Sequence, residues 1–161
     1  MECLVIDSSS LGEARNKIEK AFNSKKTVKI AVIAKSDDFN RKIVENKKVS
    51  YLLFSSFSES GRNTRLKQRD SGLNQVLCNL TNEKSIIIAF DLESILKSAD
   101  LKDYFSRVIQ NIKLINKYKV KFVLFNACNY NNSDLMGLLL SLGLNTNSCK
   151  YAIENSINAS D

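Results

Sequence analysis

The sequence contains no histidine and no proline, and it has only five glycines. The missing histidine excludes Ser-His-Asp and Cys-His nucleophile systems, histidine acid–base catalysis and histidine-ligated metal sites. The Walker A and G-x-G-x-x-G phosphate-binding motifs are absent as well. We therefore expect no catalytic residue, no metal site and no cofactor in the chain itself. An enzyme that works with carboxylates and lysine alone remains open.

Cysteine is scarce, and its spacing points to no site. Cys3, Cys78, Cys128 and Cys149 form no C-x-x-C pair, so we predict that each is a buried, reduced, small apolar residue. No apolar run approaches the ~20 residues that cross a bilayer. Asp7 interrupts the first apolar run too early for a secretory signal. These patterns predict a cytoplasmic protein without membrane contact.

The chain length and the charge balance favour one basic domain. The 161 residues, 43% of them hydrophobic, fit a single compact domain over residues 1–161. Lys and Arg outnumber Asp and Glu by 24 to 17, which gives a formal charge of +7. Such a charge favours a polyanionic partner, because each neutralised phosphate releases condensed counterions. It also fits a protein that is merely soluble, so charge alone does not decide.

Short apolar runs alternate with segments of helical periodicity. The predicted strands are Cys3–Asp7, Val28–Ala34, Val49–Phe54, Ser85–Phe90 and Lys121–Phe125. Three predicted helices have definite bounds: Leu11–Asn23, Gly72–Asn82 and Leu101–Tyr118. A fourth predicted helix begins at a cap formed by Ser36 or Asp37. A fifth runs from a cap at Asn131–Ser133 through Leu142 and stops at Gly143.

This alternation predicts an α/β fold with a parallel sheet. Five strands are too few to close an eight-stranded barrel. Either further strands lie in Arg41–Lys48 or after Cys149, or the barrel is incomplete.

A basic segment follows the third predicted strand. Residues 61–69 contain four cations and no acid. We expect the segment at the carboxyl edge of the sheet, where βα loops form ligand sites. Arginine pairs bidentately with phosphate oxygens. A cluster with three arginines therefore suits a sugar-phosphate backbone, and the candidate nucleic-acid contacts are Arg62, Arg65, Lys67 and Arg69; a solvated basic loop is the alternative.

The next residues organise this loop in our interpretation. Asp70 and Ser71 are capping residues by type, and Asp70 could also anchor Arg69. Gly72 at the first helical position indicates close backbone approach. Asn74, one turn into an apolar helix, is expected to hydrogen-bond across the loop. We assign Asp70, Ser71, Gly72 and Asn74 to holding the loop and not to chemistry.

Two further groups of charged residues have a functional and a structural interpretation. A second basic zone begins on the long helix with Arg107, Lys113 and Lys117, which are further candidate nucleic-acid contacts, and continues with Lys119 and Lys121. Exposed helix lysines are common, so an ordinary solvated face is the alternative. Asp7 and Asp91 stand at strand ends, where carboxylates either bind a divalent ion or cap the next helix.

The ordered series of motifs resembles the archaeal ribonuclease P protein component 3 family, a relative of the eukaryotic thirty-kilodalton subunit of RNase P and RNase MRP. The likeness covers residues from Val49 to Asn155, about two-thirds of the chain. Its segments are the Arg-Asp-Ser-Gly-Leu-Asn run at 69–74 with the helix after it, 85–92, 115–120, 122–125 and 134–144.

The resemblance implies a TIM-barrel-like fold related to the polymerase-and-histidinol-phosphatase (PHP) barrels without their metal site. It further implies a parallel β/α barrel that is shortened or incomplete, since the region before Val49 matches weakly.

It also implies a non-catalytic subunit that binds RNase P RNA and, within the particle, precursor tRNA. Protein component 2 is the implied direct protein partner, alongside other RNase P subunits. The RNA and the Mg²⁺ that it carries would remove the 5′ leader. One alternative is a stand-alone carboxylate-dependent phosphoesterase on a degenerate barrel, which would use Asp7 and Asp91. Another is an α/β scaffold without an RNA role.

Overall fold

The structure of the chain is a computed structural model. It describes residues 3–24, 29–55, 64–65, 68–97 and 101–158, with the backbone alone at 64, 65, 68 and 69. The strands are β1 (Cys3–Ile6), β2 (Lys29–Ile33), β3 (Tyr51–Phe54), β4 (Thr64–Arg65), β5 (Gln68–Arg69), β6 (Ile87–Asp91) and β7 (Phe122–Phe125). The helices are α1 (Leu11–Ser24), α2 (Asp37–Val44), α3 (Gln75–Lys84), α4 (Leu92–Leu96), α5 (Leu101–Tyr118), α6 (Asn132–Ser141) and α7 (Thr146–Glu154).

Five strands form one parallel sheet in chain order, β1-β2-β3-β6-β7. The strands β3 and β7 are buried at all four of their positions. Their near-continuous apolar sequences are typical of parallel strands that are covered on both faces. The predicted α/β fold with five parallel strands is confirmed.

The helices of the described chain pack on one face of this sheet, and Tyr151 of α7 also packs against the other face. Residues of all seven helices, such as Ile18 and Leu77, share one core cluster with strand residues such as Val32. The alternate strand residues, such as Ala31 and Val123, form a separate cluster on the other face, because side chains alternate along a strand. The strand order never reverses, so the sheet lacks the switch point of doubly wound folds. One-sided winding in chain order is the arrangement of β/α barrels, and the open sheet makes this barrel incomplete.

Within the described residues, neither Arg41–Lys48 nor the chain after Cys149 adds a strand that would complete the barrel. Most of Arg41–Lys48 belongs to α2 and the turn after it. Beyond Cys149, a single parallel bridge joins Ile157 to Phe125, and the Asn126 N–H donates to the Ile157 carbonyl at 2.8 Å. This bridge covers part of the outer edge of β7 without forming a strand.

Several element boundaries match the prediction and others do not. The helix over Leu101–Tyr118 and the Ser36 cap of α2 are confirmed. Gly143 has a φ of 94° just after α6, as predicted for a left-handed stop. The prediction omitted α4, α7 and the β4–β5 pair; α4 has five residues and each of the two strands has two, which is too few to show a periodicity.

The prediction of four buried cysteines is wrong at one position. Cys3, Cys78 and Cys149 are buried, whereas Cys128 is exposed in the loop after β7. Burial raises the pKa of the Cys3 and Cys78 thiols to about 11, so both stay protonated at neutral pH. None of the helices in the described ranges is both long enough and apolar enough to span a membrane.

The aromatic centre of the helix-covered face should dominate stability. The Phe90 ring lies edge-on to Phe54 and Phe122, with centroid distances of 5.7 and 4.9 Å. We expect Phe90→Ala to lower the free energy of unfolding by about 3–5 kcal/mol in a urea titration, because it leaves a cavity. Val76→Ala, at a position 51% exposed, is the control and should change it by less than about 0.5 kcal/mol. Equal effects of the two substitutions would contradict this assignment of the core.

Candidate nucleic-acid interface

The basic segment contains a short antiparallel hairpin in place of the predicted loop. Thr64 pairs with Arg69 and Arg65 pairs with Gln68, between the end of β3 and the start of α3. Arg62 and Lys67 lie outside the described residues, as do the side chains of Arg65 and Arg69. RNA contact by these four cations therefore stays a prediction.

A compact turn joins the hairpin to the next helix. The Asp70 carboxylate accepts a hydrogen bond from the Gly72 backbone N–H at 2.9 Å, which is an Asx turn. Gly72 has a φ of 76°, a left-handed conformation that favours glycine. Ser71 between them is buried. Asp70 and Gly72 thus shape the backbone immediately after the hairpin.

The helix after this turn begins later than predicted. We predicted Gly72–Asn82 with a cap at Ser71, but α3 runs over Gln75–Lys84 with Asn74 as its N-cap. The positive φ of Gly72 is incompatible with a right-handed helix, so the chain cannot become helical there. The Asn74 side-chain oxygen accepts from the Leu77 N–H at 2.9 Å. Its amide nitrogen lies 3.3 Å from a carboxylate oxygen of Asp37 at the start of α2.

Arg107 lies inside the protein and not on the exposed face of α5. Its side chain is only 2% exposed, its Nε donates to the Asp103 carboxylate at 2.7 Å, and its guanidinium also donates to the Asp70 carbonyl. A phosphate cannot reach a guanidinium that is buried and already paired. We therefore correct the predicted role of Arg107 from RNA contact to holding the backbone next to the hairpin.

Two more side chains of α5 contact the same part of the chain. The amide nitrogen of Asn111, which is fully buried, donates to the Ser71 carbonyl at 3.1 Å. The Tyr104 hydroxyl donates to the Ser55 carbonyl at 3.1 Å, directly after β3. Burial raises the pKa of Tyr104, so this hydroxyl keeps its proton at neutral pH. Asn111 was not among the predicted site residues, although its signal is a polar residue four positions after Arg107 on a face of α5 that is buried.

The remaining predicted cations of α5 are accessible. Lys113 and Lys117 are exposed and one turn apart, and neither forms an ion pair with a described residue. The Lys117 ammonium lies 5.3 Å from the Tyr118 ring centroid. No acidic residue occurs between Asp103 and Asp134 in the sequence. Contact of these lysines with RNA stays a prediction.

The two strand-end aspartates have structural partners. Asp7 forms an ion pair with Lys35 at 3.0 Å. Asp91 is the N-cap of α4 and accepts hydrogen bonds from the Ser94 hydroxyl at 2.7 Å and the Asn126 amide at 3.1 Å. No group of three or more His, Cys, Asp or Glu in the described ranges could hold a metal ion. The capping interpretation therefore accounts for Asp91, and no observation favours a carboxylate-based phosphoesterase.

Comparison with known proteins gives a structural likeness and no family assignment. No protein-family model matches the sequence, and neither does any curated protein. A chain in the cryo-EM structure of an archaeal ribonuclease P with mature tRNA has a TM-score of 0.67 and 23% identity, and the match covers 94% of this chain. This chain spans 63% of that one.

A second structure, deoxyribose phosphate aldolase from Aeropyrum pernix, matches with a TM-score of 0.43 and 12% identity over 99% of this chain and 61% of that one. The match to the ribonuclease P chain shows that this chain and that one share a fold.

The Asn74 cap should contribute measurably to stability. We expect Asn74→Ala to lower the free energy of unfolding by about 1 kcal/mol, because the Leu77 N–H loses its acceptor. Asn79→Ala, at an exposed position inside the same helix, is the matched control and should not destabilise the protein. Urea titrations of the three proteins measure both changes. A helix that began at Gly72 would make Asn74→Ala as harmless as Asn79→Ala.

Proposed function

We propose that the chain is a non-catalytic, RNA-binding protein subunit of ribonuclease P. The observation that carries the proposal is the fold shared with a chain of an archaeal ribonuclease P, over 94% of the present chain. The motif series that resembles the component 3 family supports the same assignment.

The placement of positive charge agrees with this role. The basic hairpin follows β3 at the carboxyl edge of the sheet, where β/α folds form their ligand sites. Arginine donors in a fixed fork suit the phosphate oxygens of an RNA backbone. Lys113 and Lys117 add accessible cations on α5. The net charge of +7 would strengthen association with RNA over a longer range.

Within such a particle, the RNA would perform the cleavage. The chain has no histidine, and both strand-end aspartates have structural partners, so the part of the chain that the structure describes offers no evident catalytic set. The subunit would neutralise phosphates of the RNase P RNA and of precursor tRNA, and Mg²⁺ held by the RNA would assist hydrolysis. We propose protein component 2 as its direct protein partner.

The arginines of the hairpin give the first test. We expect Arg65→Ala combined with Arg69→Ala to weaken binding to RNase P RNA at least about tenfold. The magnitude of the slope of log affinity against log salt should fall by roughly 1.4–1.8, because the variant makes two fewer phosphate contacts and therefore releases fewer counterions. Filter-binding titrations at several salt concentrations measure both quantities.

The control for this test removes the same charge elsewhere. Arg15→Ala combined with Lys20→Ala deletes two exposed cations of α1 and should change affinity far less. If both double variants lose affinity equally, general charge and not the hairpin drives binding. If neither loses affinity, the hairpin does not bind RNA.

The second test addresses the particle. Tagged chain recovered from its own cells should bring down RNase P RNA, identified by sequencing the bound RNA. The purified chain alone should leave precursor tRNA intact, and it should accelerate cleavage when added to that RNA with component 2. Recovery without this RNA, or cleavage by the protein alone, would refute the proposal.

A further inference from the structure

We propose that the amino edge of the sheet, where helices connect back to strands, is an RNA-binding surface separate from the hairpin. Its cations are Lys47, Lys117, Lys119 and Lys121, which we call the amino-edge lysines, and all four are exposed. This inference rests on the proposed function, which supplies RNA as the polyanion.

The parallel sheet brings these lysines to one edge. Helix-to-strand connections arrive at the amino ends of parallel strands, whereas the hairpin follows the carboxyl end of β3. Lys47 precedes β3, and the other three lysines lie just before or at the start of β7. Only β6 separates these two strands, so β3 and β7 are about 10 Å apart.

Hydrogen bonds fix the backbone around Lys119. The Asn82 amide, near the end of α3, donates to the Tyr118 carbonyl at 2.9 Å. The Ile88 N–H of β6 donates to the Lys121 carbonyl at 3.0 Å. The connection between α5 and β7 is therefore held by the two neighbouring elements, and its lysines project from a defined backbone.

The acids at this end of the described chain are directed to other cations. Glu19 pairs with Lys48, and Glu83 pairs with Lys84. Glu83 and, to a smaller extent, Glu45 raise the pKa of Lys84. None of the amino-edge lysines forms an ion pair with a described residue. Their charge is therefore available to an external anion.

The helix dipole explains only part of this charge. A cation in the last turn of a helix interacts favourably with the unpaired carbonyls there, which accounts for Lys117. That interaction fades beyond the last turn, whereas Lys47 and Lys121 stand three residues past the ends of α2 and α5. Lys119 has a left-handed φ of 53°, which glycine or asparagine would adopt at lower cost. The fold itself does not call for lysine at these three positions.

The chemistry of this edge suits a sugar-phosphate backbone. An ammonium group on a flexible stem binds phosphate as a point charge, without the fixed geometry that a guanidinium requires. The Lys117 ammonium also lies 5.3 Å from the centroid of the Tyr118 ring. An aromatic ring among cations offers a stacking face to an unpaired base.

The opposite edge of the described chain carries acids at its helix starts. Asp37, Asp103 and Asp134 lie in the first turns of α2, α5 and α6, which follow the carboxyl ends of strands. The field of the described side chains is therefore more positive at the amino edge, and it favours the approach of a polyanion from that side.

A triple variant tests the amino edge. Lys117→Gln, Lys119→Asn and Lys121→Gln should leave the protein folded, because the three positions are exposed and asparagine tolerates a left-handed backbone. We expect affinity for RNase P RNA to fall roughly 10- to 100-fold at about 0.15 M salt. The magnitude of the slope of log affinity against log salt should fall by roughly 2.1–2.7, because three phosphate contacts are lost.

The matched control deletes the same charge elsewhere. Arg15→Gln, Lys97→Gln and Lys102→Gln remove three exposed cations from helices that follow the carboxyl ends of strands. This variant should lose less than about threefold in affinity, through net charge alone. Urea titrations verify that both triple variants are folded. Equal losses of affinity in the two variants would show that general charge drives binding, and the inference would be wrong.

A second measurement uses the unaltered protein. Acetylation of lysines by an N-hydroxysuccinimide ester, followed at each residue by mass spectrometry, should slow at the amino-edge lysines when RNase P RNA is bound. Lys97 and Lys102 should react as before. Unchanged acetylation of the amino-edge lysines would overturn the inference. Protection by phosphatidylserine vesicles but not by RNA would overturn it as well, because the surface would then bind a membrane.

The outcomes separate this inference from the proposed function. If Arg65→Ala with Arg69→Ala weakens binding but the amino-edge variant does not, the inference is wrong and the RNA-binding proposal stands. If both variants weaken binding, each surface contacts RNA. If the unaltered chain does not bind RNase P RNA, the proposed function fails, and the inference fails with it.

Discussion

The anchoring of backbone carbonyls by α5 is the constraint on which the candidate interface depends. The β4–β5 hairpin lies between Ser55 at the end of β3 and the turn at Asp70 that leads to α3, and α5 contacts the chain at both of these ends. Tyr104 holds one end, and Arg107 with Asn111 holds the other. The Asx turn at Asp70 and the Asn74 cap then set the direction in which the chain continues.

The order of the strands explains why one helix can hold both ends. Parallel strands in chain order place every carboxyl end at the same edge of the sheet. The end of β3 and the approach to α3 therefore meet at one edge, and α5, which follows β6 on the same face, reaches both. In a doubly wound sheet the helices would divide between two faces. One-sided winding thus turns residues distant in sequence, such as Ser55 and Asp70, into neighbours of a single helix.

The sequence predicted the parts of the fold that depend on long patterns. The five apolar parallel strands and the eighteen-residue helix over Leu101–Tyr118 carry enough apolar pattern to be located. The start of α3 was not predictable in the same way, because Ser71 and Asn74 are both good capping residues. The left-handed backbone of Gly72 decides between these two caps, and the presence of a glycine in the sequence does not reveal which backbone conformation it adopts. Predictions for Arg62 and Lys67 lie outside the described residues.

Arg107 shows why counting positive charges does not locate an RNA-binding surface. The sequence places Arg107, Lys113 and Lys117 on one amphipathic helix, and all three contribute equally to the net charge. Burial separates them: the first is paired with Asp103 and a main-chain carbonyl, whereas the two lysines face solvent. A polyanion can compete only for cations that water already reaches, since stripping Arg107 from its partners would leave Asp103 uncompensated. A cation therefore serves the fold at one position of α5 and faces solvent at another, and packing against the backbone next to Asp70 makes the difference.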